Sequence, residues 1–310
     1  MKQRCTYITR SEIDEAKYNA CINNADNGLI YAFSWYLDAV CDHWDCLVLE
    51  DYNMVMPLPW RKKMGIHYIY LPCWIQQLGI FYRKELSAEI VRDFLKTIPE
   101  KFFLTEVFFN AHNDFYPVNQ KKRVNYILDL KQPYDELKRH YTKGRLSSVG
   151  SAKNQGLTCK ESFSIDLLTD LHQRFYHDKK ARSSKDLMRL KELFTQLLAN
   201  KMARQILVYE KEQLLGGAIF AVRPGRGVYL FSAVSDEGRE KQAISFLLDA
   251  WIAGHAGTES TLDFEGSMVQ NIASFFKSFG AEKEVYFHFK KSPVPFFGYN
   301  DKKEKQTKEK

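Results

Sequence analysis

Two stretches of this chain match one another at an offset of 160 residues, and that repeat restricts the possible folds more than any other feature. The first is Cys46-Leu47-Val48-Leu49-Glu50-Asp51-Tyr52-Asn53-Met54-Val55, and the second is Ile206-Leu207-Val208-Tyr209-Glu210-Lys211-Glu212-Gln213-Leu214-Leu215. Each reads as an apolar strand, a polar turn and a second apolar strand, the pattern of a β-hairpin. A further strand follows in each half, at 67–71 and 228–232, then a helix, at 88–98 and 242–253, then another strand. Three identities in ten positions are thin on their own, and chance likeness between two generic hairpins is the alternative. The repeated order of elements weighs more, and it predicts an α/β chain of two similar units with mixed sheets.

The first half opens with a helix over 12–20, with Ser11 placed to cap it and Asp14 and Glu15 in its first turn. It runs to a strand over 125–130. Pro133 then opens a helix over 134–141, and a basic helix follows at 145–154. Two longer helices are expected at 167–179 and 185–200. The second carries Leu187, Leu190, Phe194, Leu197 and Leu198, a core-facing stripe. The boundary falls near residue 131, giving domains at 1–130 and 131–300. The last ten residues, 301–310, read as a charged disordered tail.

A chain of 310 residues with 45% apolar and 14% aromatic side chains can fill two cores of roughly 100–150 residues each. It holds no apolar run of about 20 residues, so no membrane span is expected. The first twenty residues lack the apolar stretch of a signal peptide, which predicts a cytoplasmic protein. Six cysteines without C-x-x-C spacing read as reduced, mostly buried thiols. No H-E-x-x-H occurs, and His172 and His177 lack acidic neighbours, so neither a metal site nor a tightly bound cofactor is expected. The charge is uneven. Residues 131–204 hold 16 basic and 8 acidic side chains, whereas 205–310 hold 14 of each. Such a local excess attracts a polyanion such as a CoA diphosphate, a nucleotide sugar or a tRNA backbone; a solvated helical face is the plainer reading.

The segment 261–289 carries the most chemistry. A short strand ends in Asp263-Phe264-Glu265-Gly266-Ser267, an amphipathic helix with Phe275, Phe276 and Lys277 follows, and Gly280 reads as its left-handed cap. A strand over 285–289 closes the unit, so the polar residues stand at the ends of regular elements, where open α/β sheets place ligands. A strand ending D-F-x-G-S, then a helix containing F-K-x-x-F-G, resembles the closing segment of the FemABX-like acyltransferases, which are built from two domains of the GNAT (N-acetyltransferase) fold. The run from Arg145 to Gly156, RLSSVGSAKNQG, resembles the helix that opens the second domain of that family. The likeness spans most of residues 30–290, with specificity in these two motifs. It implies tandem GNAT-like domains around a cleft.

The resemblance also implies transfer of an acyl or aminoacyl group to an amine, from acyl-CoA or aminoacyl-tRNA, with the acceptor held partly by the first domain. Such a transfer needs a bound donor, a base for the amine proton and donors for the oxyanion. Lys277 matches the family lysine near the transferred group, where a desolvated ammonium would stabilise an oxyanion; a solvent-facing residue is the bland reading. Asp263 and Glu265 are two apart on a predicted strand, hence on one face, where paired carboxylates raise one another's pKa and make one a base near neutrality. Structural pairing with a helix end and a lysine is equally consistent. Ser267 reads as the cap of the following helix. Tyr229, on the central strand of the second half, is a candidate general acid or a packing residue.

For the donor phosphates the candidates are Arg145 and Lys153 on the basic helix and Arg239 and Lys241 in the turn 235–243. That turn stands where a GNAT enzyme has its glycine-rich phosphate loop, yet it holds one glycine and three acids, and the matching 82–88 holds no glycine. This departure weighs against acetyl-CoA. Trp60, Lys62, Trp74, Gln76 and Gln77 make a candidate acceptor wall, with the neighbouring prolines placing their strands at edges or bends; large core aromatics in a twisted sheet account for the same pattern. The sequence thus supports an N-acyltransferase acting on a small-molecule or peptide amine, with tRNA as a possible partner. A catalytically inactive GNAT pair serving as a binding module is the alternative. A nucleic-acid-binding protein has less support, since no recognition module accompanies the basic middle.

Overall fold

Both predicted hairpins form, and each is followed by one strand laid parallel to its neighbour. The computed structural model describes residues 5–83, 85–113, 120–176, 182–266 and 268–292. The first half contains β1 (Thr6–Ile8), α1 (Glu15–Asn24), α2 (Ser34–Val40), β2 (His43–Leu49), β3 (Met54–Lys63), β4 (Ile66–Ile69), β5 (Phe81–Tyr82), α3 (Ala88–Thr97), β6 (Phe102–Phe109) and β7 (Gln120–Asp129). The second contains α4 (Tyr134–Arg139), α5 (Lys143–Asn154), β8 (Leu157–Ser162), α6 (Ile165–Phe175), α7 (Ser184–Ala199), β9 (Ala203–Glu210), β10 (Gln213–Arg223) and β11 (Arg226–Val234). It ends with α8 (Asp236–Glu240), α9 (Ala243–His255), β12 (Thr261–Asp263), α10 (Gln270–Lys277) and β13 (Glu282–Lys291).

The strands make one sheet, in the order β1-β2-β3-β4-β6-β13-β7-β12-β11-β10-β9-β8, with β5 beside β3. The pairs β4–β6 and β11–β12 are parallel, one in each half, at matching places in the two strand orders. The middle of the sheet is interleaved. β13, from the end of the chain, lies between β6 and β7, and β7 also pairs with β12. A cut at residue 130 therefore separates β7 from both of its neighbours. The charged segment 301–310 and His177 lie outside the described residues, as does the expected end of the helix at Lys179.

Local details depart from expectation for identifiable reasons. Ser11 belongs to a 3-10 turn over Arg10–Glu12 that is closed by Thr9 and Glu12, and α1 begins later, capped by the Asp14 side chain accepting from Lys17 N at 3.1 Å. Asp14 thus caps the helix in place of Ser11. β3 is an interior strand despite Pro57 and Pro59. It pairs with β5 through Met54 and Val55 and with β4 from Trp60 onward, so both prolines fall in the gap between its two partners on that side.

Three apolar clusters organise the packing. One lies on the second half and includes β7, and one lies on the first half and includes Phe287 and Phe289 of β13. The third joins the halves: Tyr36 and Leu37 of α2 share it with Leu187, Leu190, Phe194 and Leu197 of α7. A charged clamp reinforces this seam. Asp42, just after α2, accepts from Lys185 at 2.8 Å and Arg189 at 2.5 Å on α7, and forms an ion pair with Arg61 at 2.9 Å. Burial raises the Asp42 pKa, but the hydrogen bonds and positive charges of Lys185, Arg189 and Arg61 outweigh it and hold the group at about 2.

A carboxylate depressed in this way adds stability above the ordinary aspartate pKa and loses it as pH falls toward 2. Asp42→Asn is expected to cost roughly 1–2 kcal/mol, between the values for exposed and buried pairs. Urea unfolding at pH 7 and pH 3 checks this: the difference between wild type and variant should shrink at the lower pH.

Candidate active site

In both halves the parallel pair comes apart after a few residues. β11 and β12 pair from Arg226 and Thr261 to Val228 and Asp263; β11 then continues to Val234 while the chain leaves β12. Likewise β4 and β6 pair as far as Ile69 and Thr105, and the chain leaves β4 through residues 70–76. Both exits line one groove. Its larger hollow, about 650 Å³, is bounded by Trp74, His172, Tyr176, Arg182, Tyr229, Phe231, Glu265 and Phe276, among others. A smaller one of about 330 Å³ adds Pro72, Cys73, Gln76 and Tyr286. Trp74, Arg182, Glu265 and Gly266 belong to both hollows.

The carboxylates expected on one strand face are parted by the backbone. β12 stops at Asp263, and Glu265 has φ 51°, in the left-handed region. Trp74, across the groove, has φ 72°. Left-handed backbone is costly for side chains of this size and persists only where the surroundings enforce it, commonly at functional sites. One enforcing contact is visible at Gly266: a Cβ there would overlap the backbone of Val124 and Asn125, so the turn can press against β7 only with glycine.

Asp263 turns inward to a buried network. It accepts from Arg226 Nε at 2.8 Å, from Asn125 Nδ2 at 3.0 Å and from the Glu265 N–H at 2.8 Å. Arg226 Nη2 also reaches Glu284 at 2.8 Å, which ties β11, β12, β7 and β13 together. Glu265 turns to the groove and accepts from the Tyr31 hydroxyl at 2.5 Å. It makes no ion pair among the described residues. Burial is the largest influence on it; the Tyr31 hydrogen bond opposes, the Asp263 charge adds, and the Glu265 pKa rises to about 8. Burial and the facing carboxylates push the Tyr31 hydroxyl well up, so it stays a donor.

The other expected site residues divide between this groove and elsewhere. Tyr229 lines the larger hollow, half-buried, and burial raises its pKa. Trp74 is buried with Nε1 donating to the Asp186 carbonyl at 2.8 Å. Gln76 lines the smaller hollow and donates to Asn125 Oδ1 at 3.3 Å; Gln77 is buried, donating to Gln76 and accepting from Ala111 N. Trp60 and Lys62 stand apart on β3, Trp60 stacked on His43 at 4.4 Å and Lys62 exposed, and neither lines the groove. The candidate acceptor wall is therefore not a single surface.

Lys277 ends α10 exposed, with Nζ 5.6 Å above the Tyr126 ring, because Ala273 and Phe276 take the buried stripe of that helix. The desolvated ammonium expected there does not form. Arg145 points into the core. It donates to Ser278 at 2.9 Å and to Ser245, lies 4.3 Å from the Phe275 ring, and has its pKa lowered to about 10 by burial. Lys153 pairs with buried Asp249 at 3.0 Å. Arg239 pairs with Asp236, and Lys241 with Glu210 and Glu237. Ser267 lies outside the described residues, and the cap position of α10 is Val269.

Sequence reading missed Tyr31, Arg182 and His172. Tyr31 lies in an apolar run that signals only packing. Arg182 stands among Lys179, Lys180 and Lys185, where a solvated charge is the natural reading. His172 is buried, stacks on Tyr176 at 4.5 Å, and accepts from the Arg182 N–H at 3.1 Å through Nε2. Burial and the Arg182 charge lower its pKa, which keeps the imidazole neutral and able to accept.

No protein-family description fits this sequence, and no curated protein is similar to it. Solved structures are similar. FemX aligns over 89% of this chain and 96% of its own at 14% identity, with a TM-score of 0.64. The chain has the tandem GNAT fold of the FemABX type. A tandem GNAT protein from the clavulanic acid biosynthesis pathway aligns over 94% of this chain and 100% of its own at 9% identity, TM-score 0.52. L-PGS from Bacillus licheniformis aligns over 89% and 90% at 13% identity, also at 0.52. At these identities the likeness concerns the fold. Among the described residues no helix is long and apolar enough to cross a membrane.

Asp263→Asn is expected to cost about 3 kcal/mol or more of stability, because it leaves the largely buried Arg226 with Glu284 as its one anionic partner among the described residues. Chemical denaturation measures the loss. A neutral result would detach Asp263 from the framework and return it to the list of catalytic candidates.

Proposed function

We propose that this protein is an N-acyltransferase that moves an acyl or aminoacyl group from an activated donor to an amine acceptor bound in the groove. The observation that carries the reading is Glu265: a carboxylate with no ion pair among the described residues, held by Tyr31 at the point where both halves of the sheet open. An amine must lose a proton as it attacks, and a carboxyl group whose pKa is pushed up to about 8 is a stronger base than an ordinary glutamate once deprotonated at mildly alkaline pH. Beyond Val228 no strand among the described residues pairs with β11 on its β12 side, so its backbone groups there and Tyr229 are available to hold the reacting carbonyl.

For the donor, aminoacyl-tRNA is favoured over acyl-CoA. A pyrophosphate on the turn before α8 would meet Asp236 and Glu237, while Arg239 and Lys241 are already paired with acids. The Gly238 N–H, a backbone group that such a phosphate would use, is taken by the Ser235 hydroxyl at 2.9 Å. Some neighbours in fold are named as a tandem GNAT protein and others as FemX or L-PGS, which is compatible with either donor class. The inactive binding-module reading has in its favour the absence of a glycine-rich turn in both halves. An unneutralised, strained glutamate in an open groove argues for turnover.

Transfer is measured with labelled aminoacyl-tRNA and labelled acetyl-CoA against a panel of amines. Once a turnover is found, kcat/KM should rise with pH to a plateau above about 8, because Glu265 must be deprotonated to act. Glu265→Gln should lower it by about 10²–10⁴-fold. The same change should raise stability at pH 8.5. A raised carboxyl pKa means that the folded state loses stability as pH climbs from the ordinary glutamate value through about 8, and glutamine removes that loss. A variant with undiminished turnover would remove Glu265 from the mechanism.

A further inference from the structure

Arg182 is the cationic group that both hollows share with Glu265. Its guanidinium lies 5.0 Å from the Trp74 ring centroid, and one Nη1–H reaches Cys73 Sγ, a weak acceptor, at 3.7 Å. No carboxylate pairs with it among the described residues, although Glu265 is near enough for the two charges to influence one another. Its backbone is fixed by neutral His172. The outcome is a planar fork of donors held over an aromatic ring, lining a groove and without an anionic partner among the described residues. Such a fork matches a carboxylate in bidentate fashion. A guanidinium and a carboxylate that share a groove without bridging are complementary to a molecule carrying both charges in reverse.

Building on the transfer reading, we propose that the acceptor is a free α-amino acid, its carboxylate held by Arg182 and its amine presented to Glu265. The transfer forms an amide bond on that amine and breaks the donor's ester or thioester bond. The amine proton passes to Glu265 and from there to the departing oxygen or sulfur, so the tRNA hydroxyl or CoA thiol leaves and the carboxylate is regenerated. Trp74 lies against the fork and Tyr176 lines the same hollow, so the side chain beyond the carboxylate meets aromatic surface.

The test is binding without donor, by calorimetry and thermal shift. Amino acids are compared with the amines that lack the carboxylate, such as phenylalanine with phenethylamine and lysine with 1,5-diaminopentane, and inorganic phosphate and AMP are run beside them. At least one amino acid should bind about tenfold or more tightly than its amine, as expected for a hydrogen-bonded charge. Arg182→Ala should abolish that preference, and Arg182→Lys should restore part of it. Equal affinity for amine and amino acid, an unchanged preference in Arg182→Ala, or no binding by any compound would overturn the proposal. Binding of phosphate or AMP that depends on Arg182 would assign the fork to the donor and also overturn it. Transfer to amines without regard to a carboxylate would sink this inference and leave the transferase reading standing. An Arg182-dependent amino acid site with no transfer from either donor would do the reverse.

Discussion

The network in which Arg226 and Asn125 both donate to Asp263 and Glu284 is the interaction on which the arrangement of the groove depends. It joins four strands that are far apart in the chain: β7, β11, β12 and β13. Burial works against the Arg226 charge, and the two carboxylates more than restore it, so its pKa lies above the ordinary value. Buried ion pairs seldom add much net stability, but they penalise any arrangement that leaves one partner alone. Here the penalised arrangements are those in which β12 slips along β11 or β13 slips along β7. Register is thereby fixed at the last pair before the strands diverge. That fixed point turns the backbone at Glu265 toward the cavity and not along the sheet.

Much of the fold was legible in the sequence, because it rests on signals that are local. The hairpins at 46–55 and 206–215 are alternations of apolar and polar residues around short turns, and the α7 stripe is a helical period. Interleaving was not legible. Nothing in residues 285–289 tells which strands will flank them, because a strand buried on both sides reads alike in any central position. Proline was misleading for a related reason. It excludes a hydrogen bond at one residue, and Pro57 and Pro59 satisfy that rule inside the sheet wherever a partner strand is missing.

The site was legible only in part. Glu265 and Trp74 were found because acids and aromatics near strand ends are conspicuous. Their strained backbones were not foreseen, and the strain is what separates Glu265 from Asp263. Arg182 and Tyr31 come from segments whose composition suggested solvent and core, respectively, and they acquire meaning only when tertiary packing brings residue 31 against residue 265. Arg145 shows the opposite error. A cation in a basic helix reads as a phosphate ligand, yet the serines and phenylalanines that bury it are more than 90 residues away. Charge patterns report on solvent only when the fold leaves them there.

The position of β13 also bears on how the chain is made. The core of the first half is completed by Phe287 and Phe289, and Phe109 pairs with Phe287 across a very long loop. Until the end of the chain arrives, β6 presents an open apolar edge, the kind of surface on which strands of other molecules pair. A ribosome delivers residues in order, so the first half emerges long before the strand that finishes it. Any pairing that forms before residues 282–291 are available therefore leaves the place between β6 and β7 unfilled at the centre of the sheet.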